Sequence, residues 1–452
     1  MPEPIISVSG LRGVVGESLT PLVALRYAAA FAELLPPGPI VISCDGRATG
    51  PLLADVLRGG LAAAGRDVLD AGIAATPTTG VLVRQFAAAG GIQISASHNP
   101  PQYNGLKLFS GEGRVLPAAI GAQVMARYRV GEPRWAAHQH IGHRSVCDDT
   151  TGRHLELVLS TIEVDRVRRR RFKVLLDGNH GSGSLLGRRL LDALGCQVTL
   201  LGGEPDGRFE HPPEPIAENL AGVLAQVVEA GADVGFCQDP DADRLAVIDE
   251  AGSYLGEEYT LALCASNVLG TRLGAVVTNC STSRMTEDVA RRSGVPFFRS
   301  AVGEANVVDA MLAQGAVFGG EGNGGVIDPR VGYVRDSFVA MALVLDWMAG
   351  RDLPISRLAD ELPRYEIVKT KISQPASDVA AGLRRLEAHF RDAQADRLDG
   401  LRLDWPGKWL LVRASNTEPI VRAIAEAPTV AEAQRLCDEA AEVLAAQAEK
   451  RP

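Results

Sequence analysis

The sequence predicts an α/β protein with three related mixed- or parallel-sheet α/β domains and a smaller C-terminal α+β domain around a central cleft. Three observations lead there. A strand–helix–strand pattern occurs three times in the first three quarters of the chain. Each copy is followed by an apolar run that ends in concentrated polar chemistry. Beyond the Pro354–Pro363 stretch the pattern stops.

The first copy is IVISCDGR (40–47), a helical stretch from about Pro51 to Ala64, Gly65, and RDVLDAG. The second is FKVLLDGN (172–179), a helical stretch ending near Leu194, Gly195, and CQVTLL. The third is AVVTNC (275–280), a helical stretch ending near Ser293, Gly294, and VPFFRS. Each reads as a short apolar strand, a polar turn, a helix closed by a glycine, and a second strand. Units of this kind favour parallel pairing through right-handed crossovers. The period is too long for a solenoid, so the pattern indicates a duplicated domain. In the last quarter, KWLLVR and IVRAIAE read as two strands around the polar loop ASNTEP, and an amphipathic helix runs from about Val430 to Lys450. The expected domains are 1–150, 151–255, 256–365 and 366–452.

Composition narrows the functional classes. The 452 residues are enough for three or four domains. Hydrophobic residues make up 46% and charged residues 22%, the balance of a soluble globular protein, while 5% aromatics requires aliphatic, alanine-rich cores. A net charge of −9 argues against nucleic acid as a partner. The opening MPEPIISVSG lacks the basic and apolar regions of a signal peptide. No run approaches the ~18 apolar residues of a membrane span. The seven cysteines are odd in number, scattered and without CxxC spacing, as expected of reduced thiols in a cytoplasmic protein. The sequence leaves the oligomeric state open.

Ligands of open α/β sheets bind beyond the carboxyl ends of strands, so the three apolar runs point at three loops that share one cleft. GGIQI runs into SASHNP (95–100), which sets Ser97 beside His98, with Asn104, Gly105 and Lys107 downstream. A tight turn would use the same residue types; the alternative is a nucleophile on a strained loop, with Lys107 as proton shuttle or phosphate contact. ADVGFCQ runs into DPDADR (239–244), where Asp239, Asp241 and Asp243 alternate. Alternate side chains of extended chain share a face, and three carboxylates so placed repel one another unless a cation lies between them. An EF-hand calcium loop competes, because Glu250 falls at its twelfth position, but Arg244 stands at the sixth, where that loop needs glycine. A single Mg²⁺ fits better. AVFGG runs into EGNGG (321–325), where glycines surround Glu321 and Asn323; one carboxylate and one amide suit sugar hydroxyls, although such loops are also common in plain turns.

Near the C-terminus, RASNTEP offers Arg413, Ser415, Asn416 and Thr417, with Arg422 beyond, a set able to cradle phosphate. Two other clusters are discounted. His138, His140 and His143 near Cys147 fit no standard zinc spacing and read as a surface strand or linker. Arg166 and Arg168–Arg171 lack interleaved aromatics and read as a solvated segment.

Taken in order, the serine, triple-aspartate, glutamate and C-terminal loops resemble those of the α-D-phosphohexomutase family, and SGLRGVVG looks like its N-terminal arginine motif. The resemblance spans essentially the whole chain. It implies four domains around one cleft, and it carries over residue by residue. Ser97 matches the phosphoserine. Asp239, Asp241 and Asp243 match the ligands of one Mg²⁺, with the Ser97 phosphate completing the shell. Arg12, Lys107 and Arg244 match active-site cations. Glu321 matches the sugar contact, and Arg413, Ser415, Asn416, Thr417 and Arg422 match the phosphate loop. The implied partner is a small sugar phosphate. The implied reaction interconverts hexose 6-phosphate and hexose 1-phosphate through a phosphoserine and a bisphosphate. One departure stands out. Many members carry Ser-Gly-His where this chain has Asn323-Gly324-Gly325, so the family histidine is absent. That shifts acid/base work toward Lys107, Arg12 or His98, and it points to glucosamine phosphate, with phosphomannomutase/phosphoglucomutase activity as the alternative. A sugar-phosphate-binding protein without turnover is the competing class. Intact Ser97 and the three aspartates argue against it.

Overall fold

The structure, a computed structural model, describes residues 3–7, 10–372, 379–414 and 420–445. It contains four sheets. Three share a four-strand core. In the first, Val68–Ile73, Ile40–Cys44 and Gly90–Ile94 run parallel, and Tyr103–Ser110 returns antiparallel along Gly90–Ile94. In the second, Gln197–Leu201, Lys173–Asp177 and Val234–Gln238 are parallel, and Leu245–Ile248 returns. In the third, Phe297–Ser300, Val276–Asn279 and Phe318–Glu321 are parallel, and Gly325–Ile327 returns. The sheets are therefore mixed, and each of the three chemical loops is the tip of an antiparallel hairpin. Ile40–Cys44, Gly90–Ile94 and Val234–Gln238 are buried along their whole length, as parallel strands covered on both faces must be. That explains their unbroken apolar runs.

The helices between paired strands end where the glycines predicted. Gly65, Gly195 and Gly294 have φ of 81°, 71° and 68° and follow the last helical turns, a left-handed stop that glycine adopts without strain. Helices Glu257–Thr271 and Ser337–Arg351 are largely buried, and their apolar residues join Phe236 and Phe318 in one core, so the second and third sheets pack as one body. The fourth sheet, Glu366–Ile372, Val421–Ala427, Lys408–Ala414, Leu401–Trp405 and Gln394–Asp396, is wholly antiparallel. Helices Val379–His389 and Val430–Ala445 supply Leu386 and Leu436 to its core, giving the α+β layer pairing.

One local expectation needs correction. DPDADR is a turn, not extended chain, with Ala242 at a φ of 56°; its carboxylates converge because the chain folds back, not because side chains alternate along a strand. The arginine run is a solvated segment as expected: it forms the short helix Val164–Arg170, with Arg168–Arg171 exposed and Arg166 paired with Asp346 at 2.6 Å. The histidine cluster is a surface feature: His138–His140 form a single exposed turn, and Arg144–Val146 is an exposed edge strand. Among the described residues no helix is long and apolar enough to cross a membrane, and all seven cysteines are free.

Candidate active site

The serine loop leaves Gly90–Ile94 and returns as Tyr103–Ser110. Ser97 sits at its tip, buried, with a φ of 50°, in the left-handed region that disfavours side chains. One residue holds the loop's backbone. The buried Arg47 guanidinium donates to the carbonyls of Ser97 and Asn99 at 2.6 Å, Pro100 at 2.8 Å and Tyr103 at 3.0 Å. Its charge is balanced by Asp45 at 3.1 Å, and Phe209 of the second domain stacks on it at 5.0 Å. Asp45 also accepts from Ser95 Oγ at 2.6 Å, and Ser95 Oγ in turn accepts from the Ser97 amide at 2.8 Å. The Ser97 Oγ itself donates to Asp239 Oδ2 at 2.8 Å and lies 3.3 Å from His98 Nδ1.

That bond joins the first loop to the second. Ligand atoms of Asp239, Asp241 and Asp243 lie within 4.8 Å of one another, all buried, the one such group among the described residues. Asp239 Oδ1 accepts the amides of Asp243 and Arg244, each at 3.1 Å. Asp241 accepts from Thr76 and pairs with Lys107, while Asp243 pairs with Lys107 and Arg335, each at 2.7 Å. Burial, with Asp243 and Asp241 adding repulsion, pushes Asp239 well above the usual carboxylate range. Burial opposes the charge on Asp243 as well, but Arg335, Lys107 and Arg244 outweigh it and hold its pKa down. Burial likewise works against the Lys107 ammonium, yet Asp241 and Asp243 prevail and hold it protonated. Arg244 and burial, with Arg12, press the His98 pKa well below the ordinary imidazole value. Two buried oxygens, Asp241 Oδ1 and Asp243 Oδ1, have no hydrogen-bond partner among the described residues. Unpartnered carboxylate oxygens facing a repelling neighbour fit a hard divalent cation, which takes oxygen ligands. Glu250, by contrast, accepts from Ser356, so the calcium-loop alternative loses its twelfth ligand.

Arg12, in the strand Gly10–Val14, pairs in register with Gly105 and donates to Asn99 at 3.2 Å. Arg244 lies 3.8 Å from Glu214 and 3.9 Å from Glu257. In the third loop, Glu321 accepts from Asn279 at 2.7 Å, from the Gly303 amide at 3.1 Å and from Arg335 at 2.9 Å. Asn323 Oδ1 is buried without a hydrogen-bond partner among the described residues. Serine, aspartate and glutamate loops are thus linked in one chain of contacts.

The fourth domain is placed by its own contacts to the third. Arg402 donates to the Cys280 carbonyl at 2.5 Å, and Glu426 accepts the Arg284 amide at 3.1 Å and Trp409 Nε1 at 2.7 Å. Arg413 and Arg422 stand opposite one another in adjacent strands. Arg413 Nε donates to Asp399 at 2.9 Å, and Asp399 also accepts the Val302 amide at 3.0 Å. Ser415, Asn416 and Thr417 lie outside the described residues. A cavity of about 680 Å³ between the third and fourth domains, lined by Arg284, Arg299, Asp392 and Trp405, contains none of the predicted site residues. Sequence reasoning missed Arg47, Thr76, Glu304 and Arg335. Only Arg47 had a local signal, its place in the turn after the first repeated strand.

Comparison with known proteins agrees with this geometry. The chain matches the families described as Phosphoglucomutase/phosphomannomutase alpha/beta/alpha domain I over residues 5–134, domain II over 153–252, domain III over 257–365, and the C-terminal domain over 374–443. It is 37% identical to a phosphoglucomutase/phosphomannomutase of Thermococcus kodakarensis, covering 92% of this chain and 93% of that one. It is 33% identical to a probable phosphoglucosamine mutase of Methanopyrus kandleri, covering 96% of each. A Burkholderia thailandensis phosphoglucomutase/phosphomannomutase family protein superposes with a TM-score of 0.87 at 28% identity, covering 99% of this chain and 98% of that one. An Aspergillus fumigatus N-acetylphosphoglucosamine mutase, solved with GlcNAc-6P and magnesium, shares the fold with a TM-score of 0.62 at 15% identity, covering 98% and 96%. The chain therefore belongs to the phosphoglucomutase/phosphomannomutase family and is a phosphohexomutase, an enzyme of the isomerase class.

Proposed function

We propose that this enzyme interconverts glucosamine 6-phosphate and glucosamine 1-phosphate, with Ser97 carrying the phosphoryl group and a sugar bisphosphate as intermediate. The observation that supports it most directly is the Ser97 Oγ bonded to Asp239 inside a nest of buried carboxylates with two unpartnered oxygens. Asp239, Asp241, Asp243 and the Ser97 phosphate would hold one Mg²⁺, which supplies charge neutralisation at the transferring group. Phosphoryl transfer depends mainly on positioning and electrostatics, and the chain's residues supply both. Lys107, Arg12 and Arg244 offset the roughly −1.5 to −2 charge of a phosphoserine. Arg413 and Arg422, with Ser415, Asn416 and Thr417, anchor the non-reacting phosphate. Glu321 and Asn323 meet the sugar. A sugar hydroxyl forms a new P–O bond as the Ser97 Oγ–P bond breaks. Its proton passes to the neutral His98, and the Ser97 oxygen takes a proton from the Lys107 ammonium and is left as a hydroxyl. The bisphosphate turns around and returns its other phosphate by the reverse step.

The choice of sugar rests on Glu321 and on Gly325 in place of the family histidine. A carboxylate binds an ammonium more strongly than a hydroxyl when both are desolvated; the family histidine is gone, and an ammonium would share Glu321 with Arg335, which pairs with it at 2.9 Å. The name of the Methanopyrus relative points the same way. Phosphomannomutase/phosphoglucomutase activity is the second reading, favoured by the name of the Thermococcus relative. Values of kcat/KM measured side by side on glucosamine, glucose and mannose phosphates, with peptide mass mapping of active protein, test both parts. We expect phosphate on Ser97 and at least a tenfold preference for the amino sugar. A tenfold preference for glucose or mannose phosphate overturns the substrate, and phosphate found only on another residue overturns the carrier.

A further inference from the structure

Arg335 lies in none of the sequence motifs, yet it faces all three acidic elements of the cleft. Its Nη2 donates to Asp243 Oδ2 at 2.7 Å and its Nη1 to Glu321 Oε2 at 2.9 Å, while Nε lies 3.3 Å from Glu304 Oε2. Its backbone amide donates to Glu304 Oε1 at 2.9 Å. Asp243 belongs to the loop of the second sheet, and Glu321 to that of the third. One planar fork therefore spans the metal-type loop and the sugar-type loop, a geometry that a guanidinium provides and an ammonium does not. Burial opposes its charge, but Asp243, Glu304 and Glu321 secure it, so it is a fixed cation that does not exchange protons at physiological pH.

The path of the side chain is as informative as its end. A Cβ built on Gly325 would lie 2.3 Å from Arg335 Cδ and 2.8 Å from its Cγ. Real carbons do not approach that closely, and the atoms met are the packed stem of the arginine, not a free tip. The space that any side chain at 325 would need is the space that Arg335 crosses.

We propose that Arg335 is a positioning residue that fixes the metal-type loop against the sugar-type loop, and that Gly325 and Arg335 are mutually required. Arg335 engages one oxygen of Asp243 and leaves Oδ1, 3.9 Å from Arg244 Nε, without a hydrogen bond from the described residues. It engages one oxygen of Glu321 and leaves Oε1 to Asn279 and Gly303. Both carboxylates are turned to set angles by the same group. This inference rests on the reading that Asp243 serves a cation and Glu321 a sugar.

Four variants test it: Arg335→Lys, Arg335→Ala, Gly325→His and the double Gly325→His/Arg335→Ala. Arg335→Lys keeps the charge and loses the fork. It should unfold within a few degrees of the wild type while kcat falls tenfold or more, with a smaller change in KM. Gly325→His should lose both activity and thermal stability. The double variant should lose less, in kcat and in unfolding midpoint, than the two single losses combined. Full turnover in Arg335→Lys, or single losses that simply combine in the double variant, overturns the proposal. If the wild type turns over no hexose phosphate, the proposed function fails, while the Gly325–Arg335 pairing is still decided by the unfolding midpoints of the four proteins.

Discussion

The serine loop and the aspartate loop cap equivalent strands of equivalent sheets, but their reactive side chains carry different structural loads. Arg47 holds the serine loop by its carbonyl oxygens, and the Ser97 side chain touches only Asp239 and His98. The aspartate loop is also held by carbonyls, with Pro240, Asp241 and Ala242 accepting from Ser182, Thr76 and Ser337, but its carboxylates are engaged as well, by Thr76, Lys107, Arg335 and its own amides. In the first loop the reactive atom is relieved of structural duty, so phosphate can come and go without loosening the chain. In the second, the carboxylates that would meet a cation through Oδ1 also hold the fold through Oδ2, so a cation would share Asp241 and Asp243 with Lys107.

The most severe way to break this contrast is Arg47→Ala. It strips four carbonyls of their donor and leaves Asp45 buried without its ion partner. Removing one member of a buried pair costs about 3–5 kcal/mol, so urea unfolding should show a loss of that order together with loss of turnover. A loss below about 1 kcal/mol would mean that the loop stands without its arginine, against the usual scale for buried pairs. Asp241→Asn probes the other side. The amide can still accept from Thr76 and Lys107, so the fold should survive, but a hard cation loses a charged ligand. Calorimetric titration should show Mg²⁺ affinity reduced tenfold or more, and unchanged affinity would remove Asp241 from the cation site.

The smallest effect is expected beside the glutamate loop. Desolvation raises the Glu258 carboxyl to about 8, with Lys369 and the Ser283 amide offsetting it only in part. Its carboxylate oxygens lie where a Cβ on Gly322 would stand, at 2.1 Å. The folded-state pKa is above the unfolded value, so the folded chain binds the extra proton. The stability associated with that proton is full below the ordinary value of 4.5 and is lost as pH rises toward 8. Glu258→Gln should flatten the decline and be slightly more stable than the wild type at the alkaline end. Parallel pH profiles in thermal unfolding would show the substitution irrelevant.

The comparison also explains what was legible in the sequence. Ser97, the three aspartates and Glu321 stand in short polar strings after apolar strands, and a string is visible without a fold. The triad converges as expected but through a turn, because a left-handed residue at Ala242 folds the segment back, and no spacing rule reveals that. Arg335 was invisible for a different reason. Arg335 acts on Asp243 across 92 positions, and nothing in its neighbourhood of Val334 and Asp336 marks it. Loops announce themselves by composition, whereas the side chains that orient them from other elements do so only once the chain has folded. The fold class was legible because unbroken apolar strands and glycine helix stops recur three times. The antiparallel return strands were less legible, and two of them, Leu245–Ile248 and Gly325–Ile327, are too short to carry much pattern.

The backbone of Ser97 has an evolutionary side. A side chain in the left-handed conformation costs about 1–2 kcal/mol, and glycine takes that conformation freely but has no oxygen to carry a phosphoryl group. Selection for turnover and selection for stability therefore make opposite demands on this one position, and the serine records which of them prevailed.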